Sequence, residues 1–297
     1  MSAAPFRSIV VATDFSVNAW HAVERALLLP LADDARLTLV HVVKSSLFAS
    51  WGEAPAHDAE AELARLRASV EAAVPPGVRL STCIRRGTPY AEVARAAREE
   101  EAELVVVGRT GRSPLRDHLL GTTAEQVVRN GNTSVLLVRN TRVAPYRRPL
   151  CAVDVGGAAA EVLRLARRVA AQVSGPVSVV HVYDAPFEGM FFPSLSAEAL
   201  AEYRRSHRDR ARTELTAELH ANGIERASYR LAMRHGNARA RIPAEAVSAR
   251  ADLLALGTHG HRGPAFALLG SVAGDVLRDV ACDTLVVRTA GVAFSRP

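Results

Sequence analysis

Short runs of aliphatic, β-branched residues alternate along this chain with longer stretches in which apolar positions recur at helical spacing. Runs such as Leu104–Gly108 (LVVVG) and Val135–Val138 (VLLV) are apolar on both faces, which suits strands of a parallel sheet covered by helices on both sides. Helical periodicity fills the intervals, as in Asn18–Leu29 and Ala91–Glu101. The expected strands are 8–13, 37–43, 79–84, 104–108 and 134–138, followed by 149–153, 177–183, 228–233, 253–257 and 284–288. This is a βα alternation, the signature of an α/β fold.

The pattern occurs twice. Ile9–Asp14 (IVVATD) matches Leu150–Asp154 (LCAVD), and Thr38–Val43 (TLVHVV) matches Ser178–Tyr183 (SVVHVY), both at an offset of 140 residues. From Gly87 and Gly236 onward the offset is 149, so the second copy has nine extra residues between its second and third strands. They are expected near Ala185–Ser196, around Met190, Phe191 and Phe192. Packing on the chain's own core, a flap and a partner contact are all open to that segment. Thr141–Pro149 joins the copies, with Pro145 and Pro149 interrupting regular structure. The expected domains are therefore 1–143 and 144–297. The last strand of each copy is expected at a sheet edge, free to pair with its counterpart within the chain or with a second chain.

Composition adds little to this picture: 48% hydrophobic and 23% charged residues are ordinary for a globular protein. The absence of an apolar run longer than about 18 residues and of a cleavable leader gives the expectation of a cytosolic protein. Cys83, Cys151 and Cys282 are isolated in apolar segments and are expected to be reduced core residues. The net charge of +6 lies entirely in the second copy, since residues 1–140 hold 16 basic and 16 acidic side chains while residues 141–297 hold 21 and 15. Part of the excess is the run Arg204, Arg205, Arg208, Arg210 and Arg212. Lacking interleaved aromatics, it reads as a solvated helix face rather than a nucleic-acid surface.

Candidate chemistry lies at the carboxyl ends of the strands, where open doubly wound sheets bind ligands. After the fourth strand the first copy reads Gly108-Arg-Thr-Gly111, nine residues, then Gly121-Thr122-Thr123; the second reads Gly257-Thr-His-Gly260, nine residues, then Gly270-Ser271-Val272. Glycines allow close backbone approach, and the helices that open at Gly121 and Gly270 present free amides that favour phosphate. Thr122 and Ser271 can either donate a hydroxyl to a ligand or cap those helices. Asp14 and Asp154 end the first strands, where a carboxylate can accept from an exocyclic amine or a ribose hydroxyl, or cap the next helix. No G-x-G-x-x-G follows the first strand and no P-loop occurs. His259 and His261 lack a third ligand, and no metal is expected. No nucleophile elbow or acid–base pair is present, so no catalytic residue is assigned.

With Asp14-Phe15-Ser16 after strand one, His41-Val42 and His181-Val182 after strand two, and G-x2-G-x9-G-[ST] complete in both halves, the chain resembles a tandem universal stress protein. The resemblance covers the whole chain. It implies two repeated, doubly wound, open parallel five-stranded sheets of Rossmann-like type, related by a pseudo-two-fold axis. In the nucleotide-binding branch of that family, the strand-one aspartate and the backbone of the valine hold adenine, and the glycine pattern holds ribose and phosphates. By position this implies Asp14, Val42, Gly108, Gly111, Arg112, Gly121, Thr122 and Thr123 in the first copy. In the second it implies Asp154, Val182, Gly257, Gly260, Gly270, Ser271 and Val272. The implied cofactor is ATP, with AMP, ADP and magnesium left open. Departures concentrate in the second copy, where Pro264, Ala265 and Phe266 replace polar spacer residues and Gly156-Gly157 replaces Gly-Ser. The expectation is an ATP-binding stress-response regulator that acts through a protein partner. The alternatives are a nucleotide-free interaction scaffold and a slow ATPase.

Overall fold

The computed structural model describes residues 4–44, 54–109, 122–156, 158–186, 196–258 and 269–288. In the first half these form β1 (Phe6–Thr13), α1 (Val17–Leu27), β2 (Leu31–Lys44), α2 (Ala54–Glu71), β3 (Arg79–Gly87), α3 (Pro89–Glu99), β4 (Leu104–Gly108), α4 (Thr122–Asn130) and β5 (Val135–Val138). The second half repeats the series as β6 (Pro149–Ala152), α5 (Ala159–Val169), β7 (Val177–Tyr183), α6 (Ala197–Ala221), β8 (Tyr229–His235), α7 (Ala238–Ser248), β9 (Leu253–Gly257), α8 (Ser271–Asp279) and β10 (Asp283–Val287).

All strands join one ten-stranded sheet of order β3-β2-β1-β4-β5-β10-β9-β6-β7-β8. Within each half every pairing is parallel. The two expected five-stranded sheets are fused by antiparallel pairing of β5 with β10, in register Leu136↔Leu285. The fifth strands thus cover each other's edges, which removes two unpaired ladders from solvent.

Alternation along the strands assigns the two faces. Ile9, Val11, Leu104, Val106 and Leu136 enter one core with Ala22, Val23 and Ala26 of α1, Leu63 of α2, Leu163 of α5 and Leu215 of α6. Val10, Val105, Val107, Val135 and Leu137 enter the other with Ala96 of α3, Val127 of α4, Ile242 of α7 and Val276 of α8. This is the period-two consequence of the pleat in a doubly wound sheet. Both cores run through both halves.

Polar contacts, some buried and some exposed, also hold the halves together. Asp283, at 0% exposure, accepts from Arg139 N (2.7 Å), Asn140 N (2.8 Å) and Tyr146 Oη (2.6 Å), and pairs with Arg25 Nε at 3.2 Å. Arg168 of α5 reaches Ala4 O, Pro5 O and Glu103 at 2.7–2.9 Å, with its guanidinium 3.9 Å from the Phe6 ring centre.

In the second half α6 (Ala197–Ala221) takes the place that α2 has in the first. Ser196, at the end of the segment where the extra residues are expected, caps α6 (Ala199 N to Ser196 Oγ, 3.2 Å). Residues 187–195, with Met190, Phe191 and Phe192, lie outside the described residues. On α6 the arginine run pairs with its own helix, Arg205 with Glu202 at 2.8 Å and Arg210 with Glu214 at 2.8 Å, as a solvated face should.

Cys151 and Cys282 are buried and Cys83 is half-buried, none in a disulfide. Burial pushes the Cys151 and Cys282 thiols up to about 12. A raised folded pKa contributes stability that is complete below the unfolded thiol's value and is lost as pH rises towards the folded one. Between about pH 9 and 11, the Cys151→Ala variant is expected to lose stability less steeply than the parent, by about 1.4 kcal/mol per pH unit. Urea titrations across that range measure it.

Candidate functional site

Strand order reverses between β1 and β4 in the first half and between β6 and β9 in the second. At each switch point the neighbouring strand outruns the first. Pairing of β1 with β2 ends at Thr13↔His41, whereas β2 stays paired with β3 as far as Lys44↔Gly87. Likewise β6–β7 pairing ends at Ala152↔Val180 while β7–β8 continues to Tyr183↔His235. Each half therefore has a strand-end notch, with Val42 or Val182 on its wall, both half-buried.

The turns after β1 and β6 place the two aspartates. Asp14 Oδ1 accepts from Ser16 N at 3.1 Å, and Ser16 Oγ accepts from Ala19 N at 3.2 Å. Ser16, not Asp14, is thus the cap of α1. Phe15 is forced to φ 61°, a conformation unusual for a bulky side chain, and its ring stacks on His41 with centroids 4.3 Å apart. In the second half Asp154 Oδ1 accepts from Val155 N at 2.9 Å and lies 3.8 Å from His181 Nδ1. No side chain caps α5, and the positive φ of 128° falls on Gly156. The histidine of each His-Val pair clamps the strand ends: His41 Nδ1 lies 2.8 Å from Thr13 O and His181 Nδ1 3.0 Å from Val153 O. Since a carbonyl only accepts, Nδ1 carries the proton in both.

The glycine pattern divides. Gly108 and Gly257 end β4 and β9 beside the notches. A Cβ on Gly108 would lie 2.6 Å from Asn18 O and 2.7 Å from Asn18 C, so this glycine lets the first turn of α1 pack against β4. Gly270 is the cap of α8, and its N–H donates to Thr258 O at 2.9 Å. Ser271 is therefore the first helical residue and does not cap the helix, which settles that alternative. It is exposed, as is Val272 at 36%. The amides of the first turn of α8 have no acceptor within the helix, and the helix opens beside the end of β9. In the first half α4 begins at Thr122, and Thr123 is half-buried in its first turn. Gly111, Arg112, Gly121, Gly260, His259, His261 and the 264–266 spacer lie outside the described residues, as does Gly157.

Sequence patterns gave no sign of the arginines at the ends of the fifth strands. Burial and the neighbouring Arg109 push Arg139 down to about 10, and burial also lowers Arg288. Both remain cations at neutral pH. A cavity of about 140 Å³ between the halves, lined by Leu29, Pro145, Tyr146, Val169 and Gln172, lies where α1 and α5 end rather than where they begin, and so is separate from the notches. Among the described residues no group of three or more potential metal ligands occurs and no helix is long and apolar enough to cross a membrane.

Fold and site together define a class: a duplicated, doubly wound α/β protein with matching notches at its two switch points. The universal stress protein family model matches it twice, over residues 5–139 and 145–288. The chain belongs to the universal stress protein family. A universal stress protein of Methanocaldococcus jannaschii is 29% identical over 143 residues, 46% of this chain and 84% of the relative. A Staphylococcus aureus protein named for the same family is 31% identical over 143 residues, 45% and 84% of the two chains. The crystal structure of a universal stress protein from Archaeoglobus fulgidus superposes with a TM-score of 0.68 at 20% identity, covering 95% of this chain and 98% of the other. A Pseudomonas aeruginosa protein of unknown function gives 0.61 at 19%, covering 95% and 92%. These two structures share the fold over both halves.

Proposed function

We propose that the chain is an ATP-binding regulatory protein that holds one adenine nucleotide at each switch point and acts through a protein partner. In this reading Asp14 and Val42, and their counterparts Asp154 and Val182, hold the adenine ends. The phosphates lie against Gly108, Gly111, Arg112, Gly121, Thr122 and Thr123 in the first half. Gly257, Gly260, Gly270, Ser271 and Val272 do the same work in the second. The observation that carries it is the opening of α8 at Gly270 beside the end of β9, where free helical amides and the positive end of the helix dipole favour an anion. Turnover has no part in this reading. A magnesium ion accompanying the phosphates would neutralise their charge, and Arg112 would share that task.

The test is the nucleotide content of purified protein after denaturation. About two adenine nucleotides per chain are expected, falling to about one in Gly121→Val and in Gly270→Val, since a branched side chain blocks close phosphate approach. Added ATP at about 100 times its Kd should stabilise the nucleotide-free chain by about 2.7 kcal/mol for each site, about 5.4 kcal/mol for the two. No retained nucleotide, together with no melting shift in millimolar ATP and magnesium, would replace this reading with that of an interaction scaffold.

A further inference from the structure

Each fifth strand ends in an arginine that serves the opposite half. Arg139, after β5, donates through Nη2 to Leu277 O in the last turn of α8. Arg288, its counterpart 149 residues on, donates through Nη2 to Val128 O (2.9 Å) and Arg129 O (3.0 Å) in the last turn of α4. The carbonyls are counterparts too, because Val128 and Leu277 are also 149 residues apart. A cation there satisfies carbonyls that have no intrahelical donor and opposes the negative end of the helix dipole. The amino ends of the same two short helices belong to the proposed phosphate sites.

Hydrogen bonds connect each arginine back to the site of its own half. Gly270 N donates to Thr258 O at 2.9 Å, and Thr258 N donates to Val287 O at 3.1 Å. Arg288 follows Val287 directly and reaches α4. In the first half Arg109 N donates to Val138 O at 2.9 Å, and Arg139 follows and reaches α8. A ligand held against Gly270 and Thr258 therefore also bears on the strand end that carries the brace of α4, and one held against Gly108 bears, through Arg109, on the strand end that carries the brace of α8. α4 and α8 have nine residues each, so a displacement of the braced end of either helix is carried along its hydrogen-bonded turns to the other end.

We propose that the two nucleotide sites are coupled through Arg139 and Arg288, each a positioning residue for the phosphate-facing helix of the opposite half. This rests on the nucleotide reading above. Occupancy of one site raises the affinity of the other, by the same factor in both directions.

Equilibrium dialysis of ATP against three stripped proteins tests it: the parent chain, Arg139→Ala/Arg288→Ala, and Arg139→Lys/Arg288→Lys. The parent should bind its second ATP about fivefold more tightly than its first, a coupling at the low end of the usual range. The alanine pair should bind two ATP independently, at the affinity of the parent's first step. The lysine pair, which keeps a donor at each helix end, should recover part of the cooperativity and serves as the test should the alanine pair fail to fold. Two independent sites in the parent, ATP at one half only, or cooperativity that survives the alanine pair would overturn the coupling. Absence of binding in all three proteins would instead remove the nucleotide reading itself, and the coupling with it.

Discussion

Replacing Asp283 with alanine is expected to destabilise the chain by about 3–5 kcal/mol, because it leaves a buried guanidinium without its counter-ion. Arg25 is 2% exposed and Asp283 0% exposed, so the carboxylate is the guanidinium's counter-ion in place of bulk water. Three donors lose their acceptor at the same moment: the backbone N–H groups of Arg139 and Asn140 and the hydroxyl of Tyr146. What remains to Arg25 is Ala144 O at 2.5 Å and the Tyr146 ring, with its centre 4.0 Å away. Asp283→Asn keeps one acceptor oxygen and should cost less than the alanine change, though it still leaves the charge unpaired. Because Arg25 comes from α1, Tyr146 from the linker and Asp283 from β10, the loss falls on the seam between the halves. Urea denaturation of the variant should show a lower midpoint and, if the halves separate first, two transitions where the parent shows one. A loss below about 1 kcal/mol would mean that the pair is solvated and behaves as a surface ion pair.

The ten strands were legible because parallel strands covered on both faces are continuous apolar runs, and duplication gave each of them a second witness. The start of β2 was not. It begins at Leu31, pairing with Phe6, rather than near residue 37, because Asp33 and Asp34 are exposed and aspartate is depleted in strands. The antiparallel seam could be read only as an option, since an apolar fifth strand does not name its partner. The Arg25–Asp283–Tyr146 cluster was invisible, as it joins residues more than a hundred positions apart that have no shared motif. The same is true of the two helix-bracing arginines. Spacing placed Asp14, Val42, Gly108, Asp154, Val182, Gly257, Gly270 and Ser271 at or beside the carboxyl ends of the strands, where they lie. It could not separate glycines that make room for a ligand from glycines that make room for the protein.

Gly108→Ala is the second large effect expected, and it would draw that distinction. The new Cβ would meet the carbonyl oxygen and carbon of Asn18 at 2.6 and 2.7 Å and Ala19 N at 3.0 Å. These are backbone atoms in the first turn of α1, and they cannot move aside as the tip of a side chain can. Relief requires α1 to lift from β4, a helix whose Ala22, Val23 and Ala26 are fully buried in the core. Overpacking of this kind costs about 1–3 kcal/mol and sometimes more. The same displacement carries Ser16, and with it the Asp14 turn, away from the notch, so ATP affinity in the first half should fall together with stability. Gly270→Ala provides the contrast. Its Cβ would lie 3.2 Å from Thr258 O at an ordinary φ of −56°, so a shift of a few tenths of an ångström accommodates it. Its effect on melting should be small beside that of Gly108→Ala. Thermal denaturation of the two variants without nucleotide, followed by ATP dialysis, separates the roles. Equal destabilisation by both would show that the second glycine also is fixed by packing, and that the repeated pattern marks the fold of this loop as much as its ligand.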